Sequence, residues 1–299
     1  MTDLTLKNGP LRFSALTAGF DRNPEGEIVV CLHGFPDDAH SFDAQLPALA
    51  EAGYRVVAPY LRGYEPSSQP DDGDYSISAI ARDVIAWVES FDVEAVHLIG
   101  HDWGAVATYA AGALAPERFS SLITIAVPHA ARFDEAIKKV PRQMARSWYM
   151  VFFNIPGISE YAVQRNDWSL VKTLWKRWSP SYAMPDHKWH QLRSTFEADG
   201  VRGAMLAYYR QNATPALLLG IKKNEVAELT SVPVRTLAIT GVEDGCIDTR
   251  MFDHCFDDGD FPAGIAVERV QGAGHFAHQE RPDEVNQLIL TWLSANSRN

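Results

Sequence analysis

Cysteine is scarce: Cys31, Cys246 and Cys255 are the only three in 299 residues. An odd number without metal-ligand spacing speaks against a disulfide framework or a zinc module. All three read as reduced thiols of a cytosolic protein, with Cys31 inside an apolar strand. Positive charge is also short, with 27 Lys and Arg against 38 Asp and Glu and a formal net charge of −11. With no basic stripe to offset it, that balance argues against a nucleic-acid or anionic-membrane partner. No apolar run is long enough to cross a bilayer. The start, Met1-Thr2-Asp3-Leu4, lacks the basic and apolar regions of a signal peptide. Internal repeats and low-complexity tracts are missing as well. What remains is an ordinary globular composition, 46% hydrophobic and 22% charged, long enough to bury a large core.

Elements can be read along the chain. Residues 3 to 17 alternate loosely around Asn8-Gly9-Pro10, which predicts an edge hairpin. Ile28 to Leu32 is a continuous apolar run, as expected of a buried parallel strand, and leads into His33-Gly34-Phe35-Pro36. A helix with Phe42, Leu46 and Leu49 on one face follows, then a strand from Arg55 to Pro59 and a helix from about Ser76 to Phe91. Further strands are expected at Val96 to Ile99 and at Leu122 to Ala126. This alternation implies a mostly parallel sheet covered by helices on both faces.

The alternation stops at Pro128. Residues 129 to 231 read as helical and hold five of the eight tryptophans, Trp148, Trp168, Trp175, Trp178 and Trp189. They suggest a helical cap inserted between two core segments, 1–128 and 232–299. Its aromatic residues would serve both the cap's own core and the wall of an apolar pocket. Core strands resume at Val234 to Thr240 and Ile265 to Val270. A last helix starts near Pro282, with Asp283 and Glu284 in its first turn and Val285, Leu288, Ile289 and Trp292 on its inner face.

The chemistry is concentrated in Gly100-His101-Asp102-Trp103-Gly104, which joins a strand to a helix of small residues. A Gly-x-nucleophile-x-Gly turn in that setting is the nucleophile elbow of the α/β-hydrolase fold. Here Asp102 stands where a serine is usual. Asp244 and His275 also fall just past predicted strand ends, where ligands bind in open α/β sheets. The order nucleophile, acid, histidine is that of the fold's triads. Asp248, four residues after Asp244, competes with it as the acid. His278 reads as a helix-entry or surface residue, and His33 as one that orients its loop.

A carboxylate nucleophile can displace a leaving group from a saturated carbon and leave an ester on the enzyme. His275 would then activate water, with Asp244 fixing its tautomer. The oxyanion of ester hydrolysis would be held by the backbone N–H groups of Trp103 and Phe35, since Pro36 has none to give. No cofactor or metal is called for.

Over nearly its whole length the chain resembles the epoxide hydrolase branch of the α/β-hydrolase fold. The resemblance runs through His33-Gly34-Phe35-Pro36, Arg62-Gly63-Tyr64, the elbow, Asp244 and Gly274-His275. It implies two cap tyrosines that donate to the epoxide oxygen. Tyr209, in Ala207-Tyr208-Tyr209-Arg210, matches one, with Tyr208 facing elsewhere. Tyr149, in Trp148-Tyr149-Met150, matches the other. The implied substrates are a small apolar or aromatic epoxide and water. Tyr60 and Glu65 depart from the branch, which often has Asp and Gly there.

Haloalkane dehalogenases share the Asp elbow and the following Trp, but usually carry Asn where this chain has Phe35. Fluoroacetate dehalogenases carry Arg at the position of Trp103. A ligand receptor on the same fold is the non-enzymatic alternative. Oligomeric state stays open between monomer and homodimer.

Overall fold

The computed structural model describes residues 2–218 and 229–297. Eight strands form one sheet in the order β1-β2-β4-β3-β5-β6-β7-β8. They are β1 (Thr2–Asn8), β2 (Leu11–Ala18), β3 (Ile28–Leu32), β4 (Arg55–Pro59), β5 (Val96–His101), β6 (Phe119–Ile125), β7 (Thr236–Gly241) and β8 (Ile265–Val270). The edge hairpin β1–β2 is antiparallel, closed at Gly9 with φ 55°. β2 also runs antiparallel to β4, and every pairing from β4 to β8 is parallel. The chain has the α/β-hydrolase fold.

Buried strands explain the apolar runs. All residues of β3, β5 and β7 are buried, because helices cover both faces of the sheet. One face packs against α2 (Ile77–Ser90) and α3 (Trp103–Leu114), with Trp87, Val84 and Ala107 inside. The other packs against α1 (Gln45–Glu51) and α12 (Pro282–Ala295), through Leu46, Leu49, Val285, Ile289 and Leu293. Ser76 caps α2, its hydroxyl accepting the Ala79 N–H at 3.2 Å. Leu288 and Trp292 lie half-buried at the edge of the α12 contact, and Leu293 takes the central place.

The helix expected around Phe42 to Leu49 is two pieces. A 3₁₀ turn, Ala39–Phe42, opens on Asp38, whose carboxylate accepts the His40 N–H, and α1 starts separately at Gln45. β6 starts at Phe119, three residues before the expected Leu122.

Between β6 and β7 the described chain is helical. It forms α4 (Phe133–Lys139), α5 (Arg142–Arg146), α6 (Trp148–Phe153), α7 (Ile158–Trp178), α8 (Asp186–Glu197), α9 (Val201–Asn212) and α10 (Pro215–Leu218). Residues 219–228 of the expected 129–231 insertion lie outside the described residues. α7 is broken at 165–168, where Asn166, Asp167 and Trp168 take positive φ. Among the described residues no helix is long and apolar enough to cross a membrane.

Candidate active site

The parallel strands all end on one edge of the sheet, and four loops meet there. Asp102 follows β5 directly and caps α3 with φ 52° and ψ −117°, a strained backbone for a residue with a Cβ. The flanking glycines make the turn possible. A Cβ on Gly100 would lie 2.2 Å from the Gly104 carbonyl oxygen, and one on Gly104 would lie 2.1 Å from that of Leu32. The strain aims the carboxylate out of the sheet at the positive end of α3.

One oxygen of Asp102, Oδ1, accepts the Phe35 N–H at 2.7 Å. The other, Oδ2, is 3.5 Å from His275 Nε2, too far for a strong hydrogen bond. His275 follows β8, and its Nδ1 is 2.9 Å from Asp244 Oδ2. Asp244 follows β7, and its Oδ1 accepts the N–H groups of Cys246 at 2.7 Å and Ile247 at 2.9 Å. Asp244 is thus fixed by backbone on one side and faces the imidazole with the other. Asp248 points away, held by Arg250 at 2.7 Å and Arg146 at 3.5 Å. Those two arginines leave the His275 ring to Asp244.

Burial and charge set the protonation states. Burial works against charge on His275, but Cys246, Asp244 and Asp102 around the ring outweigh it and hold its pKa well above the ordinary imidazole value. Burial also opposes charge on Asp102. His275, His101 and the Phe35 N–H prevail there and keep its carboxyl below the usual range.

Aromatic side chains from α6, α7 and α9 close the site. The Tyr209 ring lies 5.0 Å from Trp103, 5.0 Å from Phe153, 5.3 Å from Phe35 and 5.7 Å from Tyr149. Trp178 packs at 4.9 Å on Tyr149 and 5.3 Å on His275. The Tyr149 hydroxyl meets Cys246 Sγ at 3.2 Å. The Tyr209 hydroxyl and the Trp103 indole N–H are both buried and lack a hydrogen-bond partner of good geometry. Burial lifts the pKa of both phenols far above 10, so each keeps its proton. Tyr208 turns to the opposite side and donates to the Arg62 carbonyl at 3.0 Å.

Three neighbours of these side chains were not expected from the sequence. The Trp178 carbonyl accepts N–H groups from both Gly245, at 3.0 Å, and His275, at 3.1 Å, so the end of α7 ties the Asp244 and His275 loops together. Cys246 stands beside Asp244 and His275 rather than in inert core. A spacing of two residues from Asp244 was the available signal. His278 enters a helix, α11 (Ala277–Glu280), but is fully buried rather than at the surface. Its Nε2 pairs with Ser41 Oγ at 2.8 Å, and its ring packs 4.6 Å from that of His101. His33 holds its loop by accepting the Leu61 N–H at 3.0 Å.

Known proteins share this arrangement of elements. The family model described as the alpha/beta hydrolase fold matches residues 27–282. The AB hydrolase superfamily protein YfhM of Bacillus subtilis is 31% identical over 278 residues, covering 90% of this chain and 91% of its own length. Epoxide hydrolase 4 of Mus musculus is 29% identical, covering 98% of this chain and 79% of its own. Among solved structures, the Bacillus megaterium epoxide hydrolase in complex with an inhibitor superposes with a TM-score of 0.82 at 23% identity. That match covers 97% of this chain and all of the other. From the match across residues 27–282 and the relative at 31% identity, the chain belongs to the alpha/beta hydrolase family.

Proposed function

We propose that this chain is an epoxide hydrolase that converts small apolar or aromatic epoxides to vicinal diols through an ester on Asp102. One observation carries the reading: a carboxylate occupies the elbow, with the Asp244–His275 pair on one side and two buried, protonated phenols nearby. Relatives that bear the name epoxide hydrolase over nearly the whole chain support it.

Asp102 Oδ2 attacks a ring carbon and the C–O bond breaks. The epoxide oxygen takes a proton from Tyr209, assisted by Tyr149, because an alkoxide leaves poorly without one. His275 Nε2 then draws a proton from water, and the hydroxide adds to the ester carbonyl. The Phe35 N–H already grips the oxygen that becomes the oxyanion, and the Trp103 N–H, first in α3, is the second donor. Collapse releases the diol and frees Asp102, and the proton held by His275 restores the tyrosine. The net change is epoxide plus water to diol. In this reading residues 129–231 act as the cap over a core of 1–128 and 232–299.

A second reading rests on the buried Trp103 indole N–H, which lies beside Tyr209 without a hydrogen bond of good geometry and is a donor that could hold a halide in a haloalkane dehalogenase. Parallel incubation with styrene oxide and 1-bromobutane separates the two, with Asp102→Ala as control. Diol without bromide, lost in the variant, is the expected result. Bromide without diol would overturn it.

A further inference from the structure

Cys246 is a thiol that the proposed chemistry does not use, yet it stands inside the triad. Sγ of Cys246, a carboxylate oxygen of Asp244 and a ring nitrogen of His275 all lie within 4.8 Å of one another. Among the described residues this is the one group with spacing suited to a metal ion. The three side chains are fully buried or nearly so. Thiolate, imidazole and carboxylate together form a donor set suited to a borderline-soft divalent ion such as zinc.

From this geometry we infer that Asp244, Cys246 and His275 form an inhibitory site for a borderline divalent cation of the zinc type. Tetrahedral zinc, with bonds of about 2.1 to 2.3 Å, holds its ligand atoms about 3.6 Å apart. Drawing in a 4.8 Å group therefore takes side-chain shifts of roughly 1 Å, within what rotation about χ allows.

The exchange balances. Cys246 loses its thiol proton to solvent, and the thiolate and the Asp244 carboxylate neutralise the two positive charges. His275 releases its Nδ1 proton to solvent as well, gives that nitrogen to the ion and carries its remaining proton on Nε2. That nitrogen then faces Asp102 as a donor, so it can no longer deprotonate water. The ion also takes Asp244 from Nδ1, breaking the 2.9 Å contact that orients the ring, and takes Sγ from the Tyr149 hydroxyl. Occupancy and turnover exclude each other.

The test reads binding apart from turnover. Cobalt(II) is titrated into the full chain and followed by its near-ultraviolet thiolate-to-cobalt charge-transfer band. Zinc binding is followed by calorimetry. The band is expected in the wild type and in Cys255→Ala, and lost in Cys246→Ala, with zinc bound at least about tenfold more weakly there. Zinc should also suppress diol formation reversibly, restored by a chelator. Its half-inhibitory concentration, scaled to each variant's own rate, should rise by the same factor in Cys246→Ala. A band that survives in Cys246→Ala, or no band and no heat in the wild type, overturns the inference. If metal binds as described but no diol forms without it, the epoxide reading fails and the site stands.

Discussion

Trp178 and His275 are joined through the backbone, the Trp178 carbonyl accepting the His275 N–H at 3.1 Å while its ring packs 5.3 Å from the imidazole. The last residue of α7 therefore sets where the proposed base sits. A Cβ on Gly274 would lie 2.5 Å from that carbonyl oxygen and 2.6 Å from Ser179 Cα, both backbone atoms that cannot swing aside. Gly274→Ala should push the His275 loop off α7. A displacement near 1 Å can cost on the order of 100-fold in rate. We expect that loss in kcat with the far-ultraviolet circular dichroism unchanged. Full activity would mean that the clamp does not position His275.

The ester should be visible. Asp102→Ala removes the attacking atom and should abolish diol formation. His275→Gln leaves the nucleophile but no base for water, so alkylation outruns hydrolysis. Mass spectrometry of that variant after mixing with styrene oxide should show one substrate added to the peptide carrying Asp102. An unmodified Asp102 would count against a covalent route.

The pH dependence follows from what the ester does to charge. In the free protein burial opposes the His275 imidazolium, and Cys246, Asp244 and Asp102 together hold its pKa well above the ordinary value. Esterification turns Asp102 neutral and removes one of those supports, so the pKa of His275 falls as its task as base begins. Only neutral imidazole accepts a proton, so hydrolysis of the ester should be lost as pH drops through this lowered value. The acid limb of single-turnover ester decay should thus lie below the His275 pKa found by NMR titration of the free protein. Coincidence of the two would mean that Asp102 does not help to set the base.

The sheet was legible because its central strands are buried continuous apolar runs, as in β3 over the expected Ile28 to Leu32. The loops holding Asp102, Asp244 and His275 were legible because glycines mark them, and a Cβ there would strike backbone. The choice of Asp244 over Asp248 as the partner of His275 was favoured by position, but its cause was not legible. It is decided by Arg146 and Arg250, which hold Asp248 aside, and Arg146 comes from α5 about a hundred residues earlier in the chain. The burial of His278 was hidden for the same reason, since its partner Ser41 lies at the far end of the sequence. Local pattern reports which residues turn inward along one element. It carries no record of which distant element supplies the partner.

Tyr209 separates a packing role from a chemical one. Its ring touches Phe35, Trp103, Tyr149 and Phe153, whereas its buried hydroxyl has no partner of good geometry. Tyr209→Phe keeps every ring contact and deletes only the hydroxyl. An unpaired buried hydroxyl costs free energy, so its removal should leave the melting temperature level or raise stability by about 1 kcal/mol. If the hydroxyl protonates the leaving oxygen, its loss should lower kcat/KM for styrene oxide by roughly 100-fold or more. Tyr208→Phe, whose hydroxyl donates to the Arg62 carbonyl away from the site, should show the opposite split, with lower stability and a nearly unchanged rate. A stable Tyr209→Phe with unchanged kinetics would reduce Tyr209 to a core aromatic and move the proton donor to Tyr149, whose hydroxyl is engaged with Cys246.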